Sequence, residues 1–143
     1  LIDYVIKTYE KIISKNNISI KFNKTDNFKI IGDRDKLIEI FTNLIDNSIK
    51  YSDKNKEITI TAKKDGEYNT VSVADQGIGI PKESIHRITE RFFTVDPSKS
   101  RSVGGTGLGL AIVKHLVSQH RAEMDINSIE NKGTTIDIKF NPL

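Results

Sequence analysis

The chain has 143 residues, 36% of them hydrophobic, with 22 Lys and Arg against 19 Asp and Glu for a formal net charge of +3. That length suits one domain with a sizeable core, the charge is too mild and too scattered to indicate nucleic acid, and no apolar run approaches the ~20 residues needed to cross a bilayer. The absence of cysteine removes disulfides and thiolate chemistry and fits a reducing cytoplasm, and a chain that opens on Leu1 instead of Met reads as a piece of a longer protein.

Residues 1–15 carry apolar side chains at positions 2, 5, 6, 9, 12 and 13, which predicts one helix ended by Asn16-Asn17. Ile18 to Phe22 alternates as a strand does, and Phe28 to Ile31 is a second short β-like run before the Gly32-Asp33 break. From Asp33 to Ser52, Leu37, Ile40, Phe41, Leu44, Ile45 and Ile49 recur at helical spacing, so this stretch is an amphipathic helix with one face on the core. Asn43, Asn47 and Lys50 fall within roughly 60° of one another on a neighbouring face. Asn in mid-helix costs up to ~0.7 kcal/mol relative to Ala, so two of them one turn apart suggest a task. Amide oxygens are hard, neutral ligands suited to Mg²⁺, and Lys50 adds a cation for phosphate. An irregular polar face with a chance pair of asparagines is the competing reading.

Glu57 to Lys63 and Thr70 to Ala74 read as antiparallel strands joined through Asp65-Gly66. Asp75-Gln76-Gly77-Ile78-Gly79-Ile80 follows at once: its glycines permit positive φ and close approach of a flat ligand, and the Asp75 carboxylate can accept from an adenine amine, although a plain Asx-Gly turn explains the same residues. Pro81 can open a short helix whose buried side is Ile85 and Ile88. Phe92 and Phe93 read as core anchors for the aperiodic basic loop that follows, Thr94 to Gly105, in which Lys99 and Arg101 either reach a triphosphate or are simply solvated. Gly104-Gly105-Thr106-Gly107-Leu108-Gly109-Leu110 then leads into a helix over Leu108 to His120, with Leu108, Ala111, Ile112, Leu116 and Val117 inward. A glycine-rich approach to a helix N-terminus is a ready phosphate site, yet this one is neither a P-loop nor GxGxxG; a flexible hinge is the alternative. Strands at Glu123 to Ser128 and Thr134 to Phe140 flank an Asn131-Lys132-Gly133 turn. Helices with mostly antiparallel strands predict an α+β two-layer sandwich, a mixed sheet covered by helices.

The order of these pieces resembles the catalytic ATP-binding domain of bacterial sensor histidine kinases, the Bergerat or GHKL fold, over essentially the whole chain. NLIDNSIKYS is similar to the family's N box, DQGIGI to its first glycine box, RFF to its F box and GTGLGLA to its second glycine box, with NKGTT as the closing turn. The phosphate-sensing class matches best from the F box onward. The resemblance implies ATP and Mg²⁺ as cofactors, with Asn47 as principal metal ligand and Asn43 beside it. It implies Lys50 on phosphate, Tyr51 along the nucleotide, Asp75 on the adenine amine, Gly77, Gly79 and Ile80 against the base, and Thr134 on the adenine side. Residues 94–104 would be the ATP lid, with Lys99 and Arg101 turned to the phosphates, and the backbone of Gly105, Thr106, Gly107, Leu108 and Gly109 would cradle them. Hydrolytic members of the fold have a Glu at the position of Asn43; an amide cannot activate water, which favours transfer.

Two departures stand out. Thr94 occupies a position where members often have Arg, so phosphate contact passes to Arg91, Lys99 or Arg101. His120-Arg121-Ala122 replaces His-Gly-Gly, and because a left-handed cap without Gly costs roughly 1 kcal/mol, a different helix ending is expected. His86, His115 and His120 lack an H-box context and read as structural. The resemblance therefore implies that the acceptor histidine lies on a dimerisation domain preceding Leu1. It also implies a downstream response regulator, no nucleic-acid partner, a monomeric fragment of a homodimeric parent, and a cytoplasmic location for a parent anchored in the membrane. A Ser/Thr protein kinase of the anti-sigma-factor type and a non-catalytic ATP or ADP sensor are the rival functions.

Overall fold

The computed structural model describes residues 1–52, 55–98 and 105–142. Five strands form one sheet in the order β1-β2-β3-β5-β4, where β1 is Ser19–Lys24, β2 Glu57–Asp65, β3 Tyr68–Ala74, β4 Glu123–Ile129 and β5 Gly133–Phe140. β1 runs parallel to β2 and every other pair is antiparallel, so the sheet is mixed as expected. The helices are α1 (Ile2–Thr8), α2 (Glu10–Lys15), α3 (Arg34–Tyr51) and α4 (Gly109–Gln119), with a 3₁₀ helix over Lys82–Arg87. α3 is the crossover that a parallel β1–β2 pair requires.

Period-two burial tells which sheet face is covered. Ile58, Ile60 and Ala62 on β2, Val71 and Val73 on β3, and Ile136, Ile138 and Phe140 on β5 are buried, and the registers Ala62↔Val71↔Ile138 and Ile60↔Val73↔Ile136 put six of them on one face. Against that face α3 sets Leu37, Ile40, Phe41, Leu44, Ile45 and Ile49, and α4 sets Val113, Leu116 and Val117. Each such side chain contributes ~1.5–3 kcal/mol by leaving water, so this layer contact dominates the stability. The other sheet face is polar, with a Ser72–Asp137 hydrogen bond and a Lys139–Asp125 ion pair at 2.7 Å.

Several sequence expectations need correction. The predicted single helix over residues 1–15 is two, because Thr8 Oγ1 donates back to Tyr4 O at 3.0 Å and Tyr9 leaves helical geometry at ψ 7°. Phe28 to Ile31 forms no strand. Phe28 and Ile30 do pack on the core, so their alternation is real, but the segment is held by side-chain burial and Ile31 is 80% exposed. The β2–β3 hairpin turns at Gly66-Glu67, one residue later than expected, since Asp65 still pairs with Tyr68; Gly66 supplies the positive φ of 62°. Along α4 the deepest residue is Val113, absent from the predicted set, whereas Leu108 and Ala111 are only half-buried.

The end of α4 is the plainest reversal. Arg121 takes the left-handed conformation at φ 54°, with its N–H donating to Ser118 O and that of Ala122 to Val117 O at 3.1 Å, which is the Schellman ending that Gly usually serves. His120 explains why it is retained. Its Nδ1 donates to Leu116 O at 2.8 Å and its Nε2 accepts from the N–H of Asp33, the α3 N-cap, at 3.1 Å, tying the two helices together. Gly32 leaves room for the ring, since a Cβ there would lie 2.8 Å from His120 Cδ2.

Candidate functional site

One cleft, with a volume of about 150 Å³, opens between α3, the β3–3₁₀ connection and the start of α4. α3 contributes Asn43, Asn47, Lys50 and Tyr51 to its wall, the connection Asp75, Gly79 and Ile80, the approach to α4 Gly105, Thr106, Gly107 and Gly109, and β5 Thr134. These predicted residues, from four separate stretches of chain, are brought together. Leu108 does not line the cleft; Leu110 takes its place. Lys99 and Arg101 lie outside the described residues, as does most of the predicted lid beyond Ser98.

At one end the cleft is built on Asp75. Strand pairing ends there with Asp75 N–H donating to Thr134 O at 2.8 Å, and Oδ1 then accepts from Gly77 N at 2.9 Å and Thr134 N at 3.1 Å. The carboxyl is raised from its ordinary value of 3.8, chiefly by burial, with the Gly77 and Thr134 N–H groups and the Ser48 hydroxyl pulling the other way. A carboxylate so fixed is an acceptor set to take one further donor from a ligand. Ser128 stabilises this corner: its Oγ accepts from Ile80 N at 2.8 Å and donates to Gly133 O, so Thr134 Oγ1 donates to it and keeps its own lone pairs for the cleft. Gly77 does not touch the cleft. A Cβ there would lie 2.2 Å from Tyr51 O, so this glycine lets the turn pack on the end of α3, while of the pair only Gly79 has positive φ, 69°.

At the opposite end the N-terminus of α4 has no side-chain cap and no acidic residue in its first turn. Thr106 Oγ1 accepts from Leu108 N, and among the described residues no side chain caps the N–H groups that follow, where the dipole favours an anion. Gly107 makes the tight turn, at φ 73°, and a Cβ on it would meet Phe92 Cα at 2.8 Å. Phe92 donates its N–H to Gly107 O at 2.8 Å and is itself left-handed, φ 63°, which throws its ring outward to 72% exposure. The expected core anchor is therefore a backbone clasp. Phe93, expected in the core as well, lines the cleft with the Arg87 guanidinium 4.5 Å from its ring centroid. Thr94 lines the cleft too, while Arg91 is exposed and does not.

The α3 wall also meets the chemistry of Mg²⁺. Asn43 Nδ2 donates to Glu39 O at 2.8 Å, and its Oδ1 lies 3.4 Å from where a Cβ of Gly109 would stand, so the amide oxygen faces the phosphate-type end. No group of three His, Cys, Asp or Glu among the described residues could hold a metal by itself. A donor set of two neutral amides fits an ion shared with polyphosphate, which keeps water and phosphate in most of its coordination sphere. Lys50 pairs with Asp46 at 2.8 Å, and Asp46 also lines the cleft. Asp46 was not foreseen, although its place four residues before Lys50 was a readable signal.

A family model described as histidine kinase-, DNA gyrase B- and HSP90-like ATPase matches residues 32–143. The sensor-like histidine kinase SenX3 of Mycolicibacterium smegmatis is 34% identical over 140 residues, 98% of this chain and 36% of that protein. The phosphate regulon sensor protein PhoR of Pseudomonas aeruginosa is 43% identical over 111 residues, 78% of this chain and 25% of its own length. The chain thus spans about a third or less of these relatives. Among solved structures, the nucleotide-free catalytic domain of the histidine kinase ThkA matches with a TM-score of 0.84 at 28% identity, covering 98% of this chain and 89% of that one. ThkA in complex with the response regulator protein TrrA matches at 0.81 and 26%, over 99% and 39%.

Proposed function

The chain belongs to the histidine kinase-, DNA gyrase B- and HSP90-like ATPase family, and from that premise we propose that it is the catalytic domain of a sensor histidine kinase. It binds ATP with Mg²⁺ and donates the γ-phosphoryl group to a histidine on a separate dimerisation domain. The observation that carries this reading is the convergence on one cleft of a fixed carboxylate, an uncapped helix N-terminus and two amides. Asp75 takes the adenine amine, and Gly79, Ile80 and Thr134 flank the base. The N–H groups at the start of α4 and Lys50 hold the phosphates. Asn47 and Asn43 would hold the metal. Bound there, Mg²⁺ would neutralise charge on the phosphates as the P–O bond breaks.

The protein's own contribution is orientation and charge compensation. With an amide at 43, that position cannot take a proton from water, which favours an incoming imidazole nitrogen as the acceptor of the γ-phosphoryl group. The whole of residues 1–143 serves as this one domain, with residues 94–104, Lys99 and Arg101 included, as its lid. The parent is a membrane-anchored homodimer whose catalytic end lies in the cytoplasm, and a response regulator receives the phosphoryl group. Incubation with an isolated H-box fragment and γ-labelled ATP tests the reading. Label on the histidine supports it; binding without transfer supports a nucleotide sensor, and label on a serine or threonine the anti-sigma-factor type.

A further inference from the structure

The β4–β5 turn, residues 128–134, backs the Asp75 corner of the cleft. Asn131 N donates to Ile78 O at 2.6 Å, and a Cβ on Gly79 would strike Ile129 O, so this turn and the 75–80 connection pack backbone on backbone. Ser128 stands where they meet, half-buried and outside the cleft lining. Its Oγ takes part in three hydrogen bonds, with Ile80 N at 2.8 Å, Gly133 O at 3.0 Å and Thr134 Oγ1 at 2.8 Å. A hydroxyl has one proton and two lone pairs. The Gly133 carbonyl can only accept, so it receives the proton, and the lone pairs receive the Ile80 N–H and the Thr134 O–H. The polarity of the corner follows. Gly77 N and Thr134 N are held by Asp75 Oδ1, and Ile80 N and the Thr134 hydroxyl by Ser128 Oγ, so these four donors all point into the protein.

We propose that Ser128 is a positioning residue for base selection: by holding the Thr134 hydroxyl proton and the Ile80 N–H, it leaves this end of the cleft a wall of acceptors, which admits a 6-amino purine and disfavours a 6-oxo purine. The inference rests on the ATP-binding reading above. Adenine brings the N–H donors of its 6-amino group to the Asp75 carboxylate and the Thr134 oxygen. A 6-oxo purine brings a carbonyl to the same place, acceptor against acceptor, and the two groups that could answer it are turned away. Asp75 alone does not secure this choice, because a threonine hydroxyl free to rotate would serve either base. Selection at the Asp75 corner thus depends on a side chain from the β4–β5 turn that the base does not touch.

Ser128→Ala removes the oxygen, freeing the Thr134 hydroxyl to rotate and the Ile80 N–H to donate, both in favour of a 6-oxo base. Calorimetric titrations with Mg·ATP and Mg·ITP, nucleotides that differ only at the 6-position edge of the base, measure the preference. The ATP-over-ITP ratio of the unaltered domain should fall roughly three- to tenfold in the variant, the scale of one neutral hydrogen bond. Ser128→Thr keeps the oxygen, and its added methyl has the open groove that Ser128 lines with Glu83 and Ile126 to enter, so the ratio should return to within about twofold of the parent. A residue that served stability alone would weaken both nucleotides equally and leave the ratio where it was. An unchanged ratio in Ser128→Ala, a ratio that Ser128→Thr does not restore, or an unaltered domain that holds ITP as tightly as ATP would each overturn the proposal. Failure of the unaltered domain to bind ATP would instead sink the ATP-binding reading.

Discussion

Replacing Asp75 by Asn separates what this side chain does for the fold from what it does for the ligand. Oδ1 accepts from Gly77 N at 2.9 Å and from Thr134 N at 3.1 Å, and an amide oxygen can keep both bonds. The Ser48 hydroxyl can rotate to accept from the new NH₂. What changes is the ligand side, where an NH₂ would face the adenine amine, donor against donor. Losing a hydrogen bond to a charged acceptor costs ~1.5–3 kcal/mol, which at 1.4 kcal/mol per decade is a roughly 10- to 150-fold loss of ATP affinity. GTP carries a carbonyl at that position of the purine, so its binding should hold or tighten. For the fold the sign is different. The carboxyl is raised above 3.8, so the native state binds the proton more tightly than the unfolded chain, and stability falls as pH rises from 3.8 through the raised value. Asp75→Asn should erase that slope and stay within about 1 kcal/mol of the parent at neutral pH. Calorimetry with ATP and GTP, together with urea melts at several pH values, would measure both. Equal losses for the two nucleotides, or a collapse in stability by several kcal/mol, would refute the argument.

Asn47→Ala should bring ATP affinity in Mg²⁺ down to the value found in EDTA; calorimetry showing the magnesium-dependent increment intact would rule out the amide as a ligand. Arg121→Gly relieves the left-handed strain at φ 54° and should stabilise the domain by about 0.5–1 kcal/mol, read as a higher urea midpoint at unchanged slope. His120→Ala removes the bonds to Leu116 O and Asp33 N and should cost ~1–3 kcal/mol in the same assay; a loss below a few tenths would mean that the contact is idle.

Much of this was legible in the chain because the relevant signals are periodic or chemically odd. The apolar stripe of α3 marked the helix, the two asparagines beside it marked the wall that lines the cleft, and the strand ending at Ala74 placed Asp75 there. The misses share a cause: they depend on what a residue meets across space. Phe92 is hydrophobic yet 72% exposed because its backbone, clasped to Gly107, decides where the ring goes. Gly77 looked like a base-stacking glycine, but its constraint comes from Tyr51 O, distant in sequence. Arg121 overrides its own preference because the capping bonds to Ser118 and Val117 outweigh the strain. Asp46 drew no notice in the sequence, and only the fold shows that its pairing with Lys50 sits on the wall of the cleft.

The joint between His120 and Asp33 has a mechanical side. α3 and α4 run antiparallel, joined there at one end, while at the other Asn43 faces Gly109. Ten residues of helix, at 1.5 Å each, separate Asp33 from Asn43, which makes a lever of ~15 Å. The pair has the form of a caliper whose pivot sits on the imidazole, and the gap between its jaws is the distance from the Asn43 amide to the glycine-rich start of α4. On the proposed function, a small rotation at the pivot would become a larger opening at the jaws, so this histidine would help to gauge the width into which a triphosphate must fit.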